Sequence, residues 1–335
     1  MSIINNFFPA KSFRMDCYRH ALIPIIHHFN KNWEIFMLFP LNHFSFENRL
    51  ECREFGNVKI NHMLLDVGIK RDFVNVSDED FIDFICYSID NEQPIIVYID
   101  SYYNPSFPSI YMKYHSQHCI PVYGYDRQKK EFNIIDSDYM EDFSRKQRIM
   151  SFQDLKNCFL SYIKQYNSTG NIQRFSAIPS KCKQPKEKYI NILRNIYFDQ
   201  SDPLQKYHHE FEKFCEYFER IYSDRKVVLK SCDLFYMAFN KMINFKHMEY
   251  IGYQSILIDY EKINEIIEEL IEKYNYVRAI FFKTHYSQKY KEESFYNCSK
   301  AMWDICNLEK TYISTLKQNL NGNNLNYSEG MLYEE

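Results

Sequence analysis

Glycine is scarce in this chain, 7 of 335 residues, and none of the seven falls in a GxGxxG or GxxxxGK[ST] pattern. Loops that cradle phosphates on backbone N–H groups need those glycines, so nucleotide binding through such a cradle is excluded. Neither the GxSxG turn that raises a serine nucleophile nor the HExxH helix that holds zinc is present. The ten cysteines include no pair at CxxC spacing, which removes zinc-ribbon and thioredoxin-like readings together. Basic excess is lacking too: with 41 Lys and Arg against 44 Asp and Glu the formal charge is -3, and no nucleic-acid partner is expected. The longest apolar runs, Ala21 to Ile26 and Ile35 to Pro40, fall far short of the roughly 20 residues that span a bilayer, so no membrane association is expected. The start, MSIINNFFPAKSFRMDC, lacks the basic, apolar and small-residue order of a signal peptide. Scattered, reduced thiols then place the chain in the cytoplasm.

What the chain has is aromatic bulk, 18% Phe, Tyr and Trp within 45% hydrophobic residues, and enough length for two domains of roughly 150 residues. Asp16 is placed to cap a helix that opens at Cys17, and Ile35 to Phe39 reads as a buried strand. Val58 to Val67 reads as a short helix. Ser77 with Asp80, and Ser151 with Asp154, are capping boxes that open helices to about Asp90 and Ile163. Between them, Pro94 to Asp100 is a short apolar run with the marks of a central strand, and His118 to Gly124 with Glu131 to Asp136 reads as a hairpin. Residues 166–188 lose periodicity and hold Gly170, Pro179 and Pro185, so they read as a connecting segment. Helical spacing dominates 189–320, with apolar faces at Phe211, Phe214, Cys215 and Phe218, at Leu234, Met237 and Ala238, and at Ile263, Ile266, Ile267, Leu270 and Ile271. One weak strand signal, Tyr253 to Ile258, interrupts it, and 321–335 reads as a disordered tail. The expectation is an α+β domain over 1–165 followed by an all-helical one.

A cysteine at a helix start, with a histidine and an acid far downstream, is the outline of a thiol nucleophile whose base is assembled by folding. Unpaired N–H groups of the first turn favour the thiolate of Cys17. A hairpin turn centred on Arg127 sets His118 directly opposite Asp136, where the carboxylate fixes the imidazole tautomer. The plainer reading remains open: His118 and Asp136 satisfy each other at a sheet edge and Cys17 is a core thiol. His115 and His118 also form an HxxH pair, but residues three apart on a strand point to opposite faces, and no metal ligand is expected there.

Beyond these spacings, the segment QPIIVYIDSYYNPSFPSIYMKYHSQHCIPVYGYDRQKKEFNIIDSDY resembles the N-terminal domain of the butirosin-biosynthesis acyltransferase family, papain-like cysteine enzymes related to the bacteriocin-leader peptidases. The matching features are Cys17, the strand before Asp100, Tyr103, His118 opening an apolar strand that ends in Gly124-Tyr125-Asp126, and Asp136. They cover about half the chain. The resemblance implies a papain-like fold and a catalytic set of Cys17, His118 and Asp136. It implies acyl transfer: Cys17 takes an acyl group from the phosphopantetheine thioester of an acyl or peptidyl carrier protein and passes it to a small amine, as related amide synthases do in closthioamide and other antibiotic biosynthesis. No bound cofactor is expected. Asp100 and Tyr103 either line the substrate cleft and hold the amine or cap a strand end. The leader peptidases carry a Gln just before the cysteine; here the residues are KSFRMDC, so the Cys17 N–H must act with another donor as oxyanion hole. Hydrolysis by a peptidase or amidase of the same design, and a non-catalytic interaction module, are the competing readings.

Overall fold

The computed structural model describes residues 1–9, 17–39, 41–47, 49–55, 59–137, 145–198, 203–257 and 259–322. The chain is α+β and divides into two compact units, Met1–Trp33 with Lys59–Pro185, and Glu34–Val58 with Lys186–Glu335. The second unit therefore takes a piece from the first third of the sequence.

In the first unit the run Ile95 to Ile99, buried except for the half-buried Tyr98, forms β5 (Ile95–Asp100). An unbroken apolar strand needs cover on both faces, and the unit has helices for it. The sheet is antiparallel, in the order β4 (Ile69–Asn75), β9 (Asn171–Ala177), β5, β6 (Gln117–Asp126), β7 (Glu131–Ser137), β8 (Arg145–Ser151). The short β1 (Ser2–Ile3) takes the edge of β6 at Gly124 and Tyr125, past the residues that pair with β5. The helices are α1 (Cys17–His28), α2 (Ile60–Asp66), α3 (Phe81–Asp90) and α4 (Phe152–Tyr166). Ser151 caps α4 as expected, its Oγ donating to Asp154 Oδ2 at 2.6 Å and accepting from the Asp154 N–H at 3.0 Å. The helix expected to open at Ser77 is corrected: Ser77 makes the same two bonds with Asp80 at 2.6 and 3.1 Å, but 78–80 form a turn and α3 opens only at Phe81. Asp16 lies outside the described residues.

Two further expectations for this unit are corrected. Residues 166–188 are not a mere connection: they contain β9, inserted between β4 and β5. Its sequence, NIQRFSA, buries Ile172, Gln173 and Phe175, a pattern that is not alternating and holds a polar residue, so it gave no strand signal. The β6–β7 turn is not centred on Arg127 either. Asp126 pairs with Glu131, and the loop is held by Asp126 Oδ1 accepting from the N–H groups of Gln128 (3.0 Å) and Lys129 (3.1 Å), while Lys130 takes a left-handed φ of 57°.

The second unit is built on α5 (Pro185–Phe198), α6 (Pro203–Ile221), α7 (Arg225–Ile256), α8 (Glu261–Ser287) and α9 (Glu292–Gly322). Ile35 to Phe39 is not a strand: Glu34–Leu38 is a 3-10 helix packed on α7, where Gly252 makes the room, since a Cβ there would lie 2.5 Å from the Leu38 side chain. A short apolar run does not say which buried element it forms. The hairpin β2 (Leu41–Phe46) and β3 (Leu50–Phe55) follows and places Phe44 against Phe211, ring centroids 4.7 Å apart, within a cluster that includes Phe239 and Tyr274. Tyr253 to Ile256 belongs to α7 rather than to a strand, and Ile258 is outside the described residues. The buried face of α7 runs through Phe235, Ala238, Phe239 and Met242, whereas Leu234 and Met237, read as core positions, are exposed. Helix α9 continues through Gly322, and the rest of the expected tail lies outside the described residues. Beneath the aromatic layer, Lys246 is buried with its Nζ 3.0 Å from Glu249 and 3.2 Å from Glu309, whose carboxylate also accepts from Tyr274 at 2.6 Å. Burial opposes the Lys246 charge, but the two carboxylates outweigh it and raise its pKa. No helix among the described residues is long and apolar enough to cross a membrane.

Candidate active site

The register of β6 against β7 changes along the ladder, and that change creates the site. Near the turn Tyr125 faces Phe132 and Gly124 faces Asn133, but beyond Tyr123 it is Val122 that faces Ile134. In the turn-side register His118 and Asp136 fall on opposite faces of the sheet. One extra residue at Tyr123 reverses that, and the two side chains share a face as diagonal neighbours. Gly124 permits the bulge to sit between β1 and β7, since a Cβ there would meet Asn133 Nδ2 at 2.8 Å and Ser2 O at 3.0 Å.

His118 Nε2 and Asp136 Oδ1 are 2.9 Å apart, both residues almost fully buried. The second carboxylate oxygen accepts from Asn104 Nδ2 at 2.9 Å. Asn104 is itself fixed, with its Oδ1 accepting from Ser106 N–H at 3.0 Å and its own N–H donating to Ser101 O at 3.0 Å. The Phe107 ring stands edge-on to the His118 imidazole, 5.3 Å between centroids at 79°, and is buried. A histidine held by a carboxylate on Nε2 presents Nδ1 as the working nitrogen, and a carboxylate tied by two donors does not wander from it. Asn104 and Phe107 were missed by the sequence reading. Asn104 follows a 3-10 turn at Ser101–Tyr103 that has no periodic signature, and an Asn-Pro-Ser stretch looks like any loop.

Cys17 is the first residue of α1 and is half-buried; α1 packs against β6, the strand that carries His118. The following residue, Tyr18, is locked by its hydroxyl donating to Gln173 Oε1 at 2.9 Å and by stacking on Tyr98. Tyr98 is held above the ordinary tyrosine pKa, first by burial and then by Cys119, Tyr18 and Cys17 beside it. Among the buried thiols, Cys86 and Cys232 behave as core groups: burial pushes Cys86 up to about 11 and Cys232 up to about 12.

Asp100 is fully buried, and its oxygens accept from the N–H groups of Tyr102 and Ser116 (3.1 Å each), from Ser161 Oγ (2.8 Å) and from His115 Nδ1 (2.5 Å). Burial, the largest influence, works to raise its pKa, but these hydrogen bonds outweigh it and hold the carboxyl below its usual range. With four donors on it, Asp100 ties β5, the 3-10 turn and α4 together. Tyr103 is partly exposed and packs edge-on against Tyr102. His115 and His118 take different carboxylates, Asp100 and Asp136, and do not converge on one point.

Compared with the sequence models of known protein families, the chain matches none, and no curated protein matches it either.

Proposed function

We propose that the chain is a papain-like cysteine acyltransferase that forms an amide from a carrier-bound thioester and a small amine. The observation that carries this reading is the buried His118–Asp136 pair, anchored from behind by Asn104 and shielded by Phe107, on the strand against which the Cys17 helix packs. In the proposed reaction His118 takes the Cys17 proton and the thiolate attacks the thioester carbonyl. The C–S bond to the carrier breaks as the phosphopantetheine sulfur takes that proton from His118, and an acyl-enzyme remains. His118 then takes a proton from the incoming amine as its nitrogen attacks, and the C–N bond replaces the C–S bond. Asp136 keeps the imidazole in one tautomer and stabilises it when protonated. A burial this complete suits a group that must not exchange its partner for water.

Intact-mass measurement after incubation with an acylated carrier protein, or a short acyl thioester, tests the reading. A covalent adduct equal to the acyl group is expected on the wild-type chain, none on Cys17→Ala, and adduct formation about 10²- to 10⁴-fold slower on His118→Ala. Amide is expected over free acid when amines are supplied, because a bound amine gains an effective molarity of about 10⁵ M or more over bulk water. Free acid alone across a panel of amines marks a hydrolase, and absence of any adduct removes the covalent mechanism.

A further inference from the structure

The second unit brings together a thiol, an imidazole and a carboxylate, none of which belongs to the site above. His208, Glu212 and Cys215 lie one and then nearly two turns apart on one side of α6, and Cys306 faces them from α9. His208 Nε2 is 2.9 Å from the carbonyl oxygen of Cys306 and 3.3 Å from its Sγ, and His208 Nδ1 is 3.4 Å from Glu212 Oε1. One donor atom from each of His208, Glu212 and Cys306 lies within 4.8 Å of the other two. His208 and Cys306 are buried, 7% and 1% exposed, so no bulky substrate reaches them.

Three features of this cluster are left without a purpose by packing alone. With Nε2–H donated to the Cys306 carbonyl, a neutral His208 turns the lone pair of Nδ1 toward Glu212 Oε1, whose counter-charge is the exposed Lys310 Nζ at 2.8 Å, so an ion seated between the two acceptors takes the place of Lys310. A shared proton draws such a pair to about 2.7–2.9 Å, well inside the observed 3.4 Å. Two donors on one tetrahedral zinc-sized ion, by contrast, stand about 3.4–3.6 Å apart, from metal–ligand distances of about 2.0–2.3 Å. Thiolate with imidazole and carboxylate selects a borderline-soft divalent cation and is a poor set for Mg²⁺ or Ca²⁺, which take oxygen ligands.

We propose that His208, Glu212 and Cys306 form a binding site for a divalent cation of the zinc class, linking α6 to α9. Cys215 and Lys310 stand next to these ligands. The Cys215 thiol is hydrogen-bonded to the Cys306 sulfur and remains its donor when the metal is bound. Lys310, whose Nζ is 2.8 Å from Glu212 Oε1, competes with the cation for that oxygen and is released to solvent by it. On binding, the Cys306 thiol gives its proton to solvent and the imidazole coordinates through a neutral nitrogen, so the affinity falls in acid. Three protein ligands leave a fourth position for water.

The test uses the full chain carrying Cys17→Ala, Cys52→Ala and Cys182→Ala, which removes the half-exposed thiols, reduced and freed of metal by chelator and gel filtration. Cobalt(II) chloride is titrated while thiolate-to-metal charge-transfer absorbance is followed, and zinc chloride is then added in competition. One equivalent of cobalt is expected, with a charge-transfer band that zinc abolishes and that is missing from Cys306→Ser. Glu212→Gln, at a partly exposed carboxylate whose loss leaves the core intact, is expected to fold normally by circular dichroism and to weaken cobalt binding about 10- to 100-fold. No band with the folded triple-alanine chain, a band that survives Cys306→Ser in it, or unchanged affinity in Glu212→Gln overturns the proposal.

Discussion

Each unit offers a cysteine, a histidine and a carboxylate for chemistry, the first a His118–Asp136 pair with Cys17 on a helix packed against the same strand, the second a His208–Glu212–Cys306 cluster, and the two sets differ in what surrounds them. In the sheet unit the imidazole is clamped at 2.9 Å to Asp136 and the cysteine is half-buried at the first turn of a helix. In the helical unit the imidazole stands 3.4 Å from its carboxylate and the Cys306 thiol is sealed in the core. A short hydrogen bond and an accessible thiol suit proton and acyl transfer, which must admit a substrate. A looser spacing with a sealed thiol admits only something the size of an ion. Residue types alone do not separate the two; exposure and an interval of half an ångström do.

The sharpest way to break this comparison is to exchange the losses. Cys17→Ala is expected to eliminate the acyl adduct, whereas Cys306→Ala leaves its rate within about twofold, as intact mass will record. Adduct on the first variant, or its loss from a folded second variant, shows that the sets are assigned the wrong way round.

Next in size is the contrast in how the units treat buried charge. Lys246→Met leaves Glu309 and Glu249 buried without their cation, and is expected to cost about 3–5 kcal/mol in urea denaturation. Replacing Lys246, Glu249 and Glu309 together by apolar residues of similar volume is expected to recover most of that loss.

A smaller effect belongs to Asn104. Asn104→Ala deprives Asp136 Oδ2 of a buried donor, worth about 1–3 kcal/mol, and a drop in adduct rate of about 5- to 150-fold is expected with Cys17 still reactive toward small electrophiles. An unchanged rate would show that His118 needs no such support.

The smallest effect is confined to acid. Asp100 has a folded pKa below its ordinary 3.8, so it adds stability that is fully present above about that pH and is lost as the pH falls through the lower folded value. Asp100→Asn should therefore be the less stable chain at neutral pH, with the difference shrinking below pH 3.8 in denaturant titrations. A difference that grows in acid would contradict the direction of the shift.

Reading the chain locally reached the parts of the fold that local chemistry decides. The Ser151 cap of α4, the apolar run of β5, the existence of the β6–β7 hairpin and the helices of the second unit all rest on residues within a few positions of one another. It failed where the partner is distant. The strand NIQRFSA is a strand because β4 and β5 flank it, and Glu34–Leu38 is a 3-10 helix because α7 offers Gly252 to Leu38. The hairpin register needed the extra residue at Tyr123, which no turn rule for the Asp126–Glu131 loop predicts.

By itself, then, the sequence determined which side chains are available for chemistry: Cys17 at a helix start, His118 and Asp136 on consecutive strands, and no phosphate cradle or paired-cysteine metal motif. Only the tertiary structure decided which of them meet. The bulge turns His118 toward Asp136, a non-periodic turn brings Asn104 behind it, and the packing of α6 on α9 brings His208 to Cys306 across 98 residues of sequence. Side-chain type and local propensity are properties of short stretches, whereas register and helix-on-helix packing are settled by burial summed over the whole unit.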